Sequence, residues 1–249
     1  MAGVWKPRVN RGNLRTLLVV AACLLGAPTG ATMLAGAAIV IPGILLHLWS
    51  KGCLRQNLEL TTAGPYRWTR NPFYLANLLV EVGIGVASAR PWILAVYLPL
   101  WFFVYLRTIR REETALAPIF GEKFSNYRAR VPRLFPNPFR GPFRPVEGTF
   151  SWSNPNLAQG SEYGRMMRLA SYLPLVWAIS EARIHGRLEL HLLLWQLTAV
   201  AAVVLFCASE VMTRRSRRAA ASPTLLPLFS GATATMVAFL ELFRKTDGW

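Results

Sequence analysis

The chain has 249 residues, of which 53% are hydrophobic and only 16% are charged, and its formal net charge is +16. This composition argues against an ordinary soluble domain, because too little polar sequence remains to cover a core built from the apolar segments. The positive charge alone would suit a nucleic-acid-binding protein, but the basic residues cluster between apolar segments, so we expect no nucleic-acid partner.

Six apolar segments that are nearly free of charge predict helices: 14–27, 32–49, 73–88, 92–109, 188–209 and 225–243. A helix needs about 20 apolar residues to cross a membrane, and about 17 is the lower end. Four of the segments reach this length, and flanking residues extend the first and the third. A further apolar stretch, 166–180, is too short to predict a span. The sequence therefore predicts an all-α polytopic membrane protein with four N-terminal helices followed by two or three more.

The basic residues indicate which side of the membrane each loop faces. They concentrate in four stretches: 6–15, 51–70, 107–144 and 214–218. Basic loops stay on the cytoplasmic side, so the pattern predicts a cytoplasmic N-terminus, loop 51–72 and segment 107–165. The expected location is a bacterial-type inner membrane or an internal membrane. Membrane lipids are the expected partners of most of these arginines.

The cysteines and histidines have no spacing that is typical of a metal site, so no metal is predicted. Cys23 and Cys207 lie inside predicted helices, where cysteine usually serves as a small apolar residue. His47 lies near the end of the second predicted helix, and His185 and His191 flank a polar break.

The first polar segment with chemical potential reads Gly64-Pro65-Tyr66-Arg67-Trp68-Thr69-Arg70-Asn71-Pro72-Phe73-Tyr74. Pro72 is well placed as the first residue of the next helix, with Asn71 near the N-cap. The free N–H groups at that helix end, together with Arg67 and Arg70, predict a site for a carboxylate or a phosphate. The alternative is a helix cap beside the membrane whose arginines contact lipid.

The second polar segment begins with Glu112 and Glu113, which follow the fourth apolar segment. Adjacent carboxylates at a membrane helix end are costly unless they have partners or a function. They would accept from ribose hydroxyls, pair with arginines or stabilise a sulfonium cation; a solvated helix end is the alternative. Residues 110–130 predict an amphipathic helix that breaks at Pro132, and 138–164 predict an irregular connection.

Several motifs occur in a recognisable order: Gly-Pro-Tyr-Arg-x-x-Arg-Asn-Pro-x-Tyr, Glu-Glu-x-x-Leu, Phe-Gly-x-x-Phe-x-x-Tyr and Arg-Val-Pro-x-x-x-Pro. Together they resemble the isoprenylcysteine carboxyl methyltransferase family, which shares a superfamily with the phospholipid N-methyltransferases. The resemblance covers residues 30–138 and rests on the agreement of separated motifs in both order and spacing.

This resemblance implies an integral membrane methyltransferase that uses S-adenosylmethionine and a lipophilic small-molecule substrate. The implied cofactor-binding residues are Tyr66, Asn71, Pro72, Tyr74, Glu112 and Glu113. The implied catalytic residues, which would orient the acceptor, are Arg70, Glu113 and Arg130. Carboxyl methyltransferases of eukaryotes have His at the position of Asn71, so specificity for isoprenylcysteine is not implied.

The sequence as a whole predicts three regions. Residues 1–146 would form the methyltransferase core with its cytoplasmic cofactor-binding segment, 147–165 an irregular linker, and 166–249 C-terminal membrane helices of unknown role. The sequence indicates no oligomeric state.

The acceptor atom stays open at this point. A carboxylate needs only a cation such as Arg70 or Arg130, an amine must lose a proton that Glu113 would take, and nearby arginines would favour a thiolate. Two other functions also stay open. One is an NADPH-dependent, sterol-reductase-like membrane enzyme, although we find no C-terminal nucleotide signature. The other is a non-catalytic membrane scaffold whose motifs only cap helices.

Overall fold

The computed structural model describes residues 11–55, 59–137, 139, 141–144, 149–154, 157, 161–185, 200–201, 203–209 and 211–212. Within these ranges the chain is helical with no β-strand, which confirms the predicted all-α class. The predicted helix 225–243 lies outside the described residues. So does the first part of 188–209, whereas residues 203–209 are helical.

In the part of the chain that the structure describes, five α-helices and one 3₁₀ turn lie between residues 11 and 185, and residues 203–209 are also helical. The five helices and the turn are α1 Arg11–Leu25, α2 Gly30–Cys53, the 3₁₀ turn Gly64–Arg67, α3 Pro72–Ala87, α4 Pro91–Arg130 and α5 Ser161–His185. The four predicted N-terminal helices are therefore confirmed. Asn71 is the N-cap of α3 and Pro72 is its first residue, as predicted.

Helix α4 unites two predicted elements. It joins the apolar segment 92–109 and the amphipathic segment 110–130 into one helix of 40 residues. The backbone kinks at Gly121, where φ is 51° and ψ is −126°. Glycine suits this position because it has no Cβ to oppose a positive φ. The helix ends before Pro132, as predicted.

Helix α5 corrects the predicted irregular connection 138–164, because it begins at Ser161. An acidic residue in its first turn, Glu162, complements the positive end of the helix dipole and contacts α2. The short apolar stretch 166–180 is thus the middle of a 25-residue helix. Leu169 and Val176 of this helix are fully buried in the same core as Leu18 of α1.

Helices α2 and α4 are long and apolar enough to cross a membrane, judged by length and composition. Only 22% and 28% of their most apolar windows are buried inside the protein, which is low for core helices of a soluble protein. Large apolar side chains face outward, including Leu34, Leu45 and Phe103. These features support the predicted polytopic membrane protein.

Small residues bring α2 and α3 close together. A Cβ at Gly36 would lie 2.6 Å from the backbone oxygen of Gly83, and a Cβ at Gly83 would lie 2.6 Å from Val40. A Cβ at Gly43 would lie 2.9 Å from Val80. Glycines at such contacts let two helix backbones approach, as is common in membrane bundles.

We expect Gly36→Ala to destabilise the protein by about 1–3 kcal/mol, the usual cost of overpacking. Gly30→Ala is the matched control, because a Cβ at Gly30 meets nothing within 4 Å. Thermal unfolding of detergent-purified protein, followed by tryptophan fluorescence, measures both. Equal melting temperatures for the two variants would contradict the close contact.

Candidate active site

The most heavily bonded carboxylate of the predicted site is that of Glu113. Its side chain is only 7% exposed. Oε1 accepts from Nε of Arg70 at 3.0 Å, and Nη2 of Arg70 forms an ion pair with it at the same distance. Oε2 accepts from Nε and Nη2 of Arg133 at 3.1 and 3.0 Å. Two guanidinium groups thus hold one carboxylate through three charge-assisted hydrogen bonds and a further ion-pair contact.

Backbone contacts tie the loop before α3 to the end of α4. The N–H of Arg70 donates to the carbonyl of Pro132 at 2.9 Å, and its Nη1 donates to the carbonyl of Arg128 at 2.6 Å. The side-chain amide of Asn71 donates to the carbonyl of Arg133 at 2.9 Å. Burial lowers the pKa of Arg70, and the neighbouring Glu113 opposes that effect. The two motif regions therefore form one rigid corner.

The adjacent carboxylate, Glu112, has a different set of partners. The hydroxyl of Tyr74 donates to Glu112 Oε1, and Arg11 donates to the same hydroxyl. Nη1 of Arg11 lies 3.8 Å from Glu112 Oε1, and its guanidinium carbon is 5.3 Å from the centre of the Tyr74 ring. Glu112 keeps 29% of its side chain exposed, so part of it stays accessible.

A third carboxylate, Glu81, is fully buried in the middle of α3. It accepts from Arg15 Nε at 2.7 Å, from the Tyr97 hydroxyl at 2.8 Å and from the Tyr105 hydroxyl at 3.0 Å. The ring of Tyr105 meets the ring of Tyr74 edge-on at 5.6 Å. The cluster around Glu81 therefore packs against Tyr74 through the ring of Tyr105.

A fourth cluster joins α5 to α2 and α3. Glu162 lies 3.1 Å from His47 Nε2, 3.1 Å from Lys51 Nζ and 3.5 Å from Arg165 Nη2. The Phe73 ring packs 4.0 Å from the His47 ring, with Lys51 4.8 Å and Arg165 5.7 Å from its centre. Burial would raise the pKa of Glu162, but the His47 hydrogen bond and the two cations lower it to about 2.

Most of the predicted site residues come together where α3 begins. Arg70, Asn71 and Glu113 contact one another, and Tyr74 contacts Glu112. Pro72 lies between these groups as the first residue of α3. Tyr66 is buried nearby and its carbonyl accepts from Tyr127 at 2.7 Å. Burial raises the pKa of the Tyr66 phenol above its usual range.

Arg130 stands apart from this group. It is exposed at the last turn of α4 and forms no ion pair or hydrogen bond with the described part of the chain. The arginine that reaches Glu113 is Arg133, on the other side of the turn at Pro132. Its role was not predicted, because the position of a side chain after a chain reversal is not visible in the motif.

Glu81, His47 and Glu162 also belong to these clusters, although the motifs did not predict them. Glu81 carried a usable signal, since a lone carboxylate inside an apolar segment is a functional candidate in a membrane. His47 and Glu162 contact each other but lie 115 residues apart in the chain, so motif spacing could not reveal this pair.

Residues 31–123 match the phospholipid methyltransferase family. The chain is 38% identical over 82 residues to the cobalt-zinc-cadmium resistance protein CzcN of Cupriavidus metallidurans, covering 33% of this chain and 38% of that protein. It is 37% identical over 78 residues to the protein-S-isoprenylcysteine O-methyltransferase of Mus musculus, covering 31% of this chain and 27% of that protein. No solved structure matches.

The matches thus span well under half the length of these relatives. They confirm the family resemblance predicted from the motifs, and the matched stretch contains every predicted cofactor-binding residue. Arg11, Arg133 and Glu162, in contrast, lie outside it.

We expect Arg133→Gln to destabilise the protein by about 1–3 kcal/mol, because a buried carboxylate loses charged hydrogen bonds. Arg130→Gln is the matched control and should change stability by less than about 0.5 kcal/mol, as exposed substitutions usually do. Thermal unfolding in detergent measures both. A larger effect at Arg130 than at Arg133 would show that the two arginines exchange places in the working protein.

Proposed function

From the resemblance of residues 31–123 to the phospholipid methyltransferase family, we propose that this chain transfers a methyl group from S-adenosylmethionine to a lipophilic or membrane-associated acceptor. One observation carries the proposal. Glu112 and Glu113 are adjacent, yet each has its own arginine and its own contact with the loop motif or with Tyr74. A simple solvated helix end would not need this arrangement.

The chemistry of these residues fits the cofactor. When bound, S-adenosylmethionine supplies a methyl group on a sulfonium, next to an amino acid, a ribose and an adenine. The partly exposed carboxylate of Glu112 suits ribose hydroxyls or a cation, and aromatic rings such as Tyr74 suit adenine or a sulfonium. The N-terminus of α3 beside Asn71 suits a carboxylate.

The residues of this chain would act mainly by placement. Direct methyl transfer requires that the acceptor atom and the methyl carbon be aligned and kept from water. Arg70 and Arg133 clamp Glu113, and the clamp fixes the loop before α3 against the end of α4. Because both Glu113 oxygens are engaged, we assign Glu113 a positioning role rather than the role of proton acceptor.

The site is proposed to face the cytoplasm, where a water-soluble cofactor is available. Two basic segments support this orientation: 51–70 before α3, and 107–144 at the end of α4 and beyond it. Basic segments tend to stay on the cytoplasmic side of a membrane. The acceptor would reach the site from the bilayer, since α2 and α4 expose large apolar side chains.

Calorimetric titration with S-adenosylmethionine tests the proposal on detergent-purified protein. We expect saturable binding that weakens at least about tenfold in Glu112→Gln, because one lost charged contact is worth about 1.5–3 kcal/mol. Glu113→Gln should also weaken binding, because it loosens the Arg70–Arg133 clamp that positions the loop before α3. Glu122→Gln is the matched control, since Glu122 is exposed on the same helix beyond the kink.

Two further titrations separate the alternatives. NADPH added in place of S-adenosylmethionine tests a reductase, and we expect no saturable binding. A folded protein that binds neither compound, in detergent and again in nanodiscs, would overturn the methyltransferase proposal and favour the scaffold.

A further inference from the structure

One buried nitrogen stands out in the cluster that joins α5 to α2. The His47 side chain is fully buried, and its Nδ1 has no hydrogen-bond partner among the residues that the structure describes. Buried polar atoms almost always have a partner, since leaving one unpaired costs free energy. A ligand that donates a hydrogen bond would satisfy this atom.

The other ring nitrogen fixes the tautomer. His47 Nε2 lies 3.1 Å from Oε2 of Glu162, whose pKa is lowered to about 2, so the carboxylate is ionised and only accepts. Nε2 must therefore carry the hydrogen. Lys51 and Arg165 lie 3.1 and 3.5 Å from Oε1 of the same carboxylate, and they oppose a third positive charge on the imidazole. The ring is therefore neutral, and Nδ1 presents a lone pair.

The His47 ring lies beside the predicted cofactor-binding motif. The His47 ring packs against Phe73 at 4.0 Å, and Phe73 stands between Pro72 and Tyr74 in the chain. The rings of Phe73 and Tyr74 meet edge-on at 6.3 Å, and Tyr74 donates to Glu112. One aromatic ring therefore separates His47 from the proposed cofactor site.

We propose that the Glu162–His47 pair accepts the proton of the methyl acceptor, and that this acceptor carries a hydroxyl, phenol or thiol group. The inference rests on the proposed function. In the reaction, the acceptor oxygen or sulfur donates its hydrogen bond to Nδ1. As that atom bonds to the methyl carbon, the methyl–sulfonium bond breaks and its electron pair returns to sulfur. The proton moves to Nδ1, and the Glu162 carboxylate, which accepts from Nε2–H, offsets the repulsion between the transient imidazolium and the two neighbouring cations.

The surrounding charges select among acceptor classes. Lys51 and Arg165 contact Glu162 and lie over the Phe73 ring, which packs against His47, so their positive charge would favour the negative charge that develops on an oxygen or sulfur near this ring as its proton leaves. The same two cations disfavour an ammonium group. A carboxylate acceptor has no proton to transfer and gains nothing from the Nδ1 lone pair. The cluster therefore favours a neutral O–H or S–H donor over an amine or a carboxylate.

Nitrogen NMR tests the pair without any turnover. Protein labelled with ¹⁵N-histidine, with S-adenosylhomocysteine bound, is titrated with 4-decylphenol, 1-decanethiol, decylamine or decanoate, and His47→Phe assigns the signal. We expect the neutral Nε2–H tautomer and a shift of the Nδ1 signal with the phenol or the thiol. Glu162→Gln should mix the two tautomers. An Nδ1–H tautomer in the unmodified protein, or no shift with either donor, would overturn the proposal.

Radiolabelled methyl transfer tests the same pair in turnover. We expect His47→Phe and Glu162→Gln to lower kcat with 4-decylphenol by about 100-fold or more, the usual contribution of a proton acceptor. KM for S-adenosylmethionine should stay within about threefold, and the loss should shrink as pH rises and the phenol ionises by itself.

Ser50→Ala is the matched control on α2, because the buried Ser50 hydroxyl donates to the carbonyl of Leu46, one turn back in the same helix. If His47→Phe and Glu162→Gln lower kcat by the same factor at every pH, the two residues have a merely structural role. Faster methylation of decylamine or decanoate than of the phenol and thiol would contradict the acceptor class. If calorimetry shows that the unmodified protein does not bind S-adenosylmethionine, that result would count against the proposed function itself.

Discussion

The need to neutralise buried carboxylates organises this bundle. Glu81, Glu112 and Glu113 all lie on α3 and α4, where an unpaired carboxylate would be very costly. Each is met by an arginine from outside the stretch that matches the methyltransferase family: Arg15, Arg11 and Arg133 respectively. The position of α1 and the path of the chain after α4 both follow from these pairs. The flanking segments therefore contribute directly to the carboxylate clusters from which we propose the site.

Helix α5 is also joined to the bundle by charged contacts, but here the carboxylate lies on the helix that docks and the basic residues lie on the helix that receives it. Here α2 carries His47 and the cation Lys51, and α5 brings the carboxylate Glu162 to them. Burial of Leu169 and Val176 holds α5 against the bundle, but apolar packing is non-directional and does not fix its register. Charged hydrogen bonds have strict geometry, so the Glu162 contacts define which face of α5 meets the site.

Local features of the fold were predictable from the sequence, and pairings were not. Apolar length located α1 to α4, and Asn71-Pro72 located the start of α3, because both depend on neighbouring residues only. The choice of Arg133 over Arg130 as the partner of Glu113 depends on a chain reversal at Pro132. The link between His47 and Glu162 depends on how α5 docks. Such contacts join distant parts of the chain, and no motif spacing encodes them.

Partners, more than residue type, set what each acidic or basic group can do here. Glu113 has both oxygens engaged by guanidinium groups, so its contacts hold the loop before α3 and the end of α4 in position. Glu112 keeps part of its surface accessible beside Tyr74, which suits contact with a bound molecule. His47 is the reverse case, because one nitrogen is held by Glu162 while the other keeps its lone pair. Among the residues that the structure describes, two buried side-chain nitrogens lack a hydrogen-bond partner, Nδ1 of His47 and Nε1 of Trp101. The indole N–H can only donate, so Nδ1 of His47 is the one of the two that can accept, and this is why we propose that it receives a proton from a bound molecule.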